Sequence, residues 1–376
     1  MKFDHLRLEN WKNFRSVDLP LQRRVFIVGP NAAGKSNLLD AFRFLRDIAD
    51  PEGGFQRAVK SRGGVSQLRC LHARQQPNVA IEVAMSLDDT VWTYRLEFAQ
   101  DNQRRALVRK EEVTRDGKTM LARPDTSDDQ DPNRLTQTHL EQVSANKKFR
   151  VIAEFFAQIR YLHVVPQLIR ESDRLAPRPQ DPFGSDFLEQ IARTPKRTLE
   201  SRLKRINQAL AVAVPQLREL KLDRDDRGVP HLKGLYEHWR PNAGWQTEEH
   251  FSDGTLRLLG LLWALLEGNA PLLPEEPELS LHAAVVRFIP SMMNRAGRKS
   301  SRQVLISTHS ADLLSDEGIA PEEVVLLEPS SDGTRAVMAV QNQQIRALLE
   351  GGLTVADAVL PLTAPRYASQ LALFGE

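Results

Sequence analysis

The chain has 376 residues, 41% of them apolar and 27% charged, with a formal net charge of +2. That length supplies a large core and two lobes. The near-neutral charge neither demands nor excludes nucleic acid, and no apolar run approaches the ~20 residues of a membrane span. A single cysteine, Cys70, allows no internal disulfide and argues against cysteine-based metal sites. The opening Met1-Lys2-Phe3-Asp4-His5 lacks the apolar core of a signal peptide. The expectation is a cytoplasmic globular protein with no membrane partner.

Phe3 to Leu8 alternates with period two and predicts a strand, followed by a turn at Asn10 to Arg15, after which Val17 to Leu21 leads on towards the next apolar run. Arg24 to Val28 is a short apolar run. Gly29-Pro30-Asn31-Ala32-Ala33-Gly34-Lys35-Ser36 then reads G-x-x-x-x-G-K-S, the phosphate-binding loop, and the residues from Asn37 to Leu45 carry helical periodicity. Strand, glycine loop and helix are the context this motif needs. Gly29 and Gly34 allow successive N–H groups to face phosphate oxygens, and the helix N-terminus adds partial positive charge. Lys35 would reach the β- and γ-phosphates of ATP and Ser36 would hold Mg²⁺, with Asn37 at the edge of the nucleotide site.

The helix is expected to end near Asp50, and Arg62-Gly63-Gly64 marks a turn. Strands are predicted at Val79 to Ser86, Val91 to Phe98, Leu107 to Thr114 and Thr119 to Ala122, the last two joined around Asp116-Gly117, a hairpin signal. Pro124 to Pro132 reads as an exposed loop, Leu135 to Ile159 as helix, Arg160 to Val165 as strand, and Leu175 to Gly184 as a proline-rich loop. Pro195 to Val214 reads as a helix with Leu199, Leu203, Ile206 and Leu210 on one face, and Leu220 to Lys233 as two strands about Asp225 to Gly228. Basic residues cluster at Arg104, Arg105, Arg109 and Lys110, at Lys147, Lys148 and Arg150, and at Lys196, Arg197, Arg202, Lys204 and Arg205. Each cluster is able to line a nucleic-acid groove or to stand as a solvated face.

Three later segments bear on the phosphate loop. Leu272-Leu273-Pro274 runs into Glu275-Glu276. At the end of a core strand, the first carboxylate would enter the magnesium shell and the second would orient or deprotonate water. Pro274 would end that strand, since proline withholds a ladder hydrogen bond. Ser252 precedes the apolar helix Leu256 to Leu266, as an ordinary N-cap or as a second phosphate-facing helix N-terminus together with Gly254. Val304-Leu305-Ile306 ends in Ser307-Thr308-His309-Ser310, which places His309 on a strand neighbouring the paired carboxylates, near the γ-phosphate.

These four segments, in this order, resemble the ATP-binding-cassette class, with Walker A at Gly29 to Ser36, the signature at Ser252 to Thr255, Walker B ending at Glu275-Glu276 and the switch histidine at His309. Residues 37–251 separate Walker A from the signature, which resembles the RecF and SMC branch rather than compact transporter cassettes. Glu275 to His282, Ser307 to Ser310, and the openings Leu8 to Ser16 and Gly34 to Leu45 resemble the AAA_21, or OLD-like, group. The resemblance implies an α/β P-loop ABC-type ATPase head with an antiparallel β lobe and a helical insertion lobe. It divides the chain into a P-loop core and β lobe over residues 1–123, a helical and loop-rich insertion over 124–240, and a signature, Walker B and histidine part over 241–376.

By that resemblance Glu276 is the catalytic base, His309 senses the γ-phosphate, Lys35 and Ser36 bind phosphate and magnesium, and Glu275 stands where many relatives have aspartate. Gln67 is the candidate third magnesium ligand. Ser252 and Gly254 would contact ATP held by a second copy, in a head-to-tail dimer whose interface Ser280-Leu281-His282 crosses. OLD-family nucleases carry a Toprim domain after the ATPase; the residues after His309 show no acidic D-x-D constellation for a nuclease centre. The implied function is an ATP-hydrolysing switch coupled to nucleic acid or to a separate effector protein, in anti-phage defence or DNA repair. The alternative is a nucleotide-gated scaffold that restrains a toxic effector, with hydrolysis incidental.

Overall fold

Val25, Phe26, Ile27 and Val28 are all buried, yet they serve two different cores. Val25 and Ile27 face one apolar cluster, and Phe26 and Val28 face another. A strand buried on both faces reads as a continuous apolar run, as strands of covered parallel sheets do. In the computed structural model, which describes residues 1–73, 76–171, 181–239, 244–300, 302–364 and 370 (residues 296–300 by backbone only), this strand is central.

The strands in chain order are β1 (Lys2–Trp11), β2 (Phe14–Pro20), β3 (Arg24–Val28), β4 (Val79–Leu87), β5 (Thr90–Gln100), β6 (Ala106–Arg115), β7 (Lys118–Arg123), β8 (Arg160–Leu162), β9 (Leu217–Arg224), β10 (Pro230–Tyr236), β11 (Trp245–Thr247), β12 (Leu272–Pro274), β13 (Val304–Thr308), β14 (Val324–Ser330) and β15 (Gly333–Met338). They form a sheet ordered β2-β1-β4-β5-β6-β7, a central sheet ordered β15-β14-β3-β13-β12-β8, and a small sheet ordered β11-β10-β9. In the central sheet β14, β3, β13, β12 and β8 run parallel and β15 closes one edge antiparallel. The phosphate loop, the paired glutamates and the histidine therefore all leave the sheet at the carboxyl ends of neighbouring strands, where α/β sheets bind ligands.

The helix Lys35–Ala49 joins the two large sheets. Its Phe42, Phe44 and Leu45 share one core with Phe3, Leu6 and Val83 of the antiparallel sheet and with Leu305 and Val325 of the central sheet. The other face of the central sheet packs on Leu313, Ile345 and Val359. A third core unites the helix Lys196–Ala213, through Leu203, Ile206 and Leu210, with the helix Asp253–Leu266, through Leu256, Leu259 and Trp263. The helical lobe is thus packed on the helix that Ser252 opens. Among the described residues no helix is long and apolar enough to cross a membrane.

Most predicted elements match within a few residues, including the turn at Asp116-Gly117 and the end of β12 at Pro274. Two do not. The segment Pro124 to Pro132 is exposed over most of its length, as expected, but it is not all loop: Asp125 caps the helix Thr126–Gln130, and Asp128 is 1% exposed. Arg123 donates to both Asp128 oxygens at 2.9 and 2.8 Å and to Glu111 at 3.1 Å, so Asp128 is drawn inward onto a buried guanidinium while Asp129 and Asp131 stay exposed. Leu135 to Ile159 is not one helix, because only Arg150–Ala157 is α-helical. Glu111 accepts the N–H groups of His139 (2.7 Å) and Leu140 (3.0 Å), and Asn146 donates to Leu140 O (2.9 Å). These side chains take the place of helical hydrogen bonds. Residues 175–180 of the proline-rich loop lie outside the described residues.

Candidate active site

The phosphate loop is held from outside. Asn13, in the two-residue turn between β1 and β2, donates to Ala33 O and to Thr334 Oγ1, both at 2.8 Å, and accepts from Asn37 Nδ2 at 2.8 Å. Trp11 Nε1 donates to Asn37 O at 2.8 Å. Gly34 sits at φ 100°, and a Cβ there would lie 2.2 Å from Asn13 Nδ2, so both conformation and space demand glycine. Pro30, Asn31 and Ala32 form the outer rim of the loop, with Asn31 and Ala32 exposed. Asn37 faces the Asn13 clamp.

Lys35 is 7% exposed. Its Nζ donates to Gly29 O (3.1 Å) and Pro30 O (3.4 Å) and lies 3.8 Å from Glu276 Oε1. The ammonium is folded into the loop's own curve, with an acid facing it.

Beyond Pro274 the chain keeps contact with both neighbouring strands: Glu275 N donates to Leu162 O (2.8 Å) and Glu276 N to Ser307 O (3.0 Å). Glu275 accepts from Ser36 Oγ on one oxygen and from Tyr161 OH on the other. Burial pushes its carboxyl above the ordinary value, and the neighbouring Glu276 adds to this; Ser36, Arg43 and Lys35 pull the other way. Glu276 has φ 43°, in the left-handed region that a glutamate seldom occupies. That turn of the backbone brings Glu276 Oε1 within 3.3 Å of His309 Nδ1. Non-glycine residues held in this region cluster at functional sites.

His309 follows β13 directly. Glu278, a third glutamate beyond the pair, accepts from Thr308 Oγ1 (2.6 Å) and from His309 N (3.3 Å), and so fixes the loop that presents the imidazole. Burial pushes the Glu278 carboxyl up.

The sequence-predicted residues therefore fall into groups. Lys35, Ser36, Glu275, Glu276 and His309 form one connected constellation. Ser252 is the N-cap of the helix Asp253–Leu266, accepting from Thr255 N at 3.2 Å. A Cβ on Gly254 would meet Ser280 O at 2.5 Å, so that helix start packs on the Ser280 to His282 segment. Among the described residues no hydrogen bond or ion pair joins Ser252 or Gly254 to the constellation. Gln67 lies on the short helix Val65–Leu68 and lines an open hollow of about 800 Å³ with Lys12, Asp40, Arg62 and Arg69. No described hydrogen bond joins Gln67 to Ser36 or Glu275. In that hollow, burial pushes the Asp40 carboxyl up, but Arg62 and Lys12 outweigh it and hold it below the ordinary value.

Sequence reasoning missed Asn13, Tyr161 and Glu278. Tyr161 and His163 alternate on the strand expected at Arg160 to Val165, and a polar-tipped pair on one face of a core strand was the available signal. Asn13 and Glu278 carry no spacing signal of their own.

The AAA_21 family profile, described as "AAA domain, putative AbiEii toxin, Type IV TA system", matches residues 24–316. The chain belongs to the AAA_21 family. A stretch of 58 residues is 38% identical to Endonuclease GajA of Bacillus cereus, covering 15% of this chain and 10% of that protein. A stretch of 60 residues is 38% identical to the DNA replication and repair protein RecF of Roseiflexus castenholzii, covering 16% of this chain and 15% of that one. The matches thus span only a small part of the length of either relative.

In three dimensions the chain is similar to an SMC head bound to the C-terminal winged-helix domain of ScpA, with TM-score 0.58 and 13% identity over 90% of this chain and 98% of that one. It is also similar to the Pyrococcus furiosus SMC head with an extended coiled coil, bound to the C-terminal domain of ScpA, with TM-score 0.53 and 12% identity over 94% and 100% of the two chains. The fold of this AAA_21 protein is that of an SMC-type ABC ATPase head.

Proposed function

We propose that this AAA_21 protein binds ATP on residues Gly29 to Asn37 and hydrolyses it, with Glu276 as the base for the attacking water. The observation that carries this reading is the placement of Glu276: a left-handed backbone aims its carboxylate between Lys35 Nζ and His309 Nδ1. An acid held against a phosphate-loop lysine and an imidazole is suited to orient water toward a γ-phosphate and to take its proton. Lys35 neutralises phosphate charge, and His309 reads the terminal phosphate.

The donor set also fits magnesium. Mg²⁺ takes a few hard oxygens from protein and leaves the rest to phosphate and water. Ser36 and Glu275 supply one hydroxyl and one carboxylate side by side. The described residues hold no group of three or more His, Cys, Asp or Glu that would suit an all-protein metal site. Bound there, Mg²⁺ would supply charge neutralisation for the phosphates.

Ser252 caps its helix and Gly254 stands at the helix start, and no described hydrogen bond or ion pair joins either residue to the constellation in its own chain. This supports a role toward ATP held by a second copy, in a head-to-tail dimer. The similarity to an endonuclease and to a DNA replication and repair protein supports coupling to nucleic acid or to an effector in defence or repair. The SMC heads bound to ScpA domains support docking of a separate protein.

Phosphate release from Mg-ATP tests the first step. The wild-type chain is expected to release phosphate steadily, and Lys35→Ala to lose both release and binding of a fluorescent ATP analogue. Equal release from the two proteins would refute the assignment.

A further inference from the structure

The Glu275 carboxylate is held by a second arm that the reading above does not use. Tyr161 lies on β8, which runs parallel to β12 with Tyr161 opposite Leu273. Tyr161 is 8% exposed, and its hydroxyl donates to Glu275 Oε2, while Ser36 Oγ donates to Glu275 Oε1. The carboxylate is therefore fastened at both oxygens, from two different elements. Behind the tyrosine, the guanidinium carbon of Arg43 lies 4.2 Å from the ring centroid. Arg43 stands two turns beyond Ser36, so one face of the helix Lys35–Ala49 presents both the hydroxyl and the cation that backs the ring.

The arm also gives glutamate a reason to stand at this position. The backbone of residue 275 is tied to β8 by its N–H bond to Leu162 O at 2.8 Å. From that anchor the carboxylate reaches back to Tyr161 and across to Ser36 at once, a span that the extra methylene of glutamate serves. A carboxylate that gives one oxygen to a cation and leaves the other free can pivot. Hydrogen bonds to the second oxygen remove that freedom, and loss of such outer partners typically costs about 10–100-fold in metal affinity.

We infer that Tyr161, with Arg43 stacked behind its ring, is a positioning residue that fixes the Glu275 carboxylate for the magnesium of the bound nucleotide. This rests on the magnesium assignment made above. Tyr161→Phe keeps the ring, its packing and the Arg43 stack, and removes only the hydroxyl. Arg43→Met keeps the hydroxyl and removes the cation behind it.

The test uses Mn²⁺ as probe, with free Mn²⁺ followed by electron paramagnetic resonance in the presence of a saturating non-hydrolysable ATP analogue. Wild-type protein is expected to take up one Mn²⁺ per nucleotide site. Tyr161→Phe should weaken Mn²⁺ by about 10-fold or more, and Arg43→Met should weaken it in the same direction. For Tyr161→Phe, affinity for the analogue in EDTA and the melting temperature should stay at wild-type values; Arg43→Met also removes a cation 3.8 Å from Asp40, so only its Mn²⁺ affinity and its analogue affinity in EDTA are read. On top of Glu275→Asp, Tyr161→Phe should add little. Unchanged Mn²⁺ affinity in both single variants would overturn the inference. So would an equal loss of analogue affinity in EDTA, which marks a merely structural role. Failure of the wild-type protein to take up Mn²⁺ with the analogue would instead overturn the magnesium assignment itself.

Discussion

Glu276→Gln is expected to slow ATP hydrolysis by about 10²–10⁴-fold, the usual weight of a general base, while ATP binding is retained. The substitution is nearly isosteric, and the backbone N–H of residue 276 still donates to Ser307 O, so the left-handed turn that presents the side chain is preserved. The amide still reaches toward His309 but cannot accept a proton from water. Lys35 is left with its carbonyl partners Gly29 and Pro30 and one acid fewer opposite it. Removing that acid favours an anionic ligand in the loop, so the affinity for Mg-ATP should stay level or rise. Single-turnover phosphate release and equilibrium binding of a fluorescent ATP analogue, run on the same preparation, separate the two effects. A loss of binding equal to the loss of rate would place Glu276 in ligand binding rather than in the chemical step.

Arg123→Met is expected to destabilise the protein by about 3–5 kcal/mol, the cost of breaking a buried ion pair from one side. The Arg123, Glu111 and Asp128 side chains are 0% exposed. Arg123 donates to both acids and also to the carbonyls of Gln137 (2.9 Å) and Arg134 (3.1 Å). Methionine fills much of the volume but removes the buried cation from between two carboxylates and the shared donor from two carbonyls, and the backbone N–H groups that Glu111 and Asp128 keep do not neutralise their charge. Arg123→Lys should recover only part of the loss, because one ammonium cannot span the fork that meets both Asp128 oxygens. Urea denaturation of wild type and the two variants gives the comparison. Stability within about 1 kcal/mol of wild type for Arg123→Met, the level of an exposed pair, would mean that water reaches this cluster.

The same residues show why some of the fold was legible in the sequence and some was not. The run Val25 to Val28, the glycines at 29 and 34 and the Asp116-Gly117 turn act through local backbone conformation and burial, which neighbouring residues determine. Pro274 ends β12 for the local reason that it lacks an N–H. The stretch from Pro124 to Ile159 is governed instead by partners distant in sequence. Asp128 is polar in any local window, yet Arg123 draws it inside, and the Glu111 carboxylate takes backbone N–H groups that a helix would have used. Periodicity reports the hydrophobic face of an element; it is silent about a carboxylate that rewrites backbone hydrogen bonding from another strand. At the candidate site the division is similar. Lys35, Ser36, Glu275, Glu276 and His309 follow motif order, whereas Asn13, Tyr161 and Glu278 enter through tertiary contacts alone.

ATP held by this constellation is proposed to join two copies through the helix that Ser252 opens. The mass of Glu276→Gln protein in solution, measured by light scattering with and without Mg-ATP, tests it most directly. Mg-ATP is predicted to convert the protein into a dimer or larger complex, and Ser252→Arg is predicted to bind ATP yet remain a monomer. Glu276→Gln protein that binds Mg-ATP and keeps its monomeric mass across the concentration range would contradict the account and leave an ATPase whose signature helix serves its own chain only.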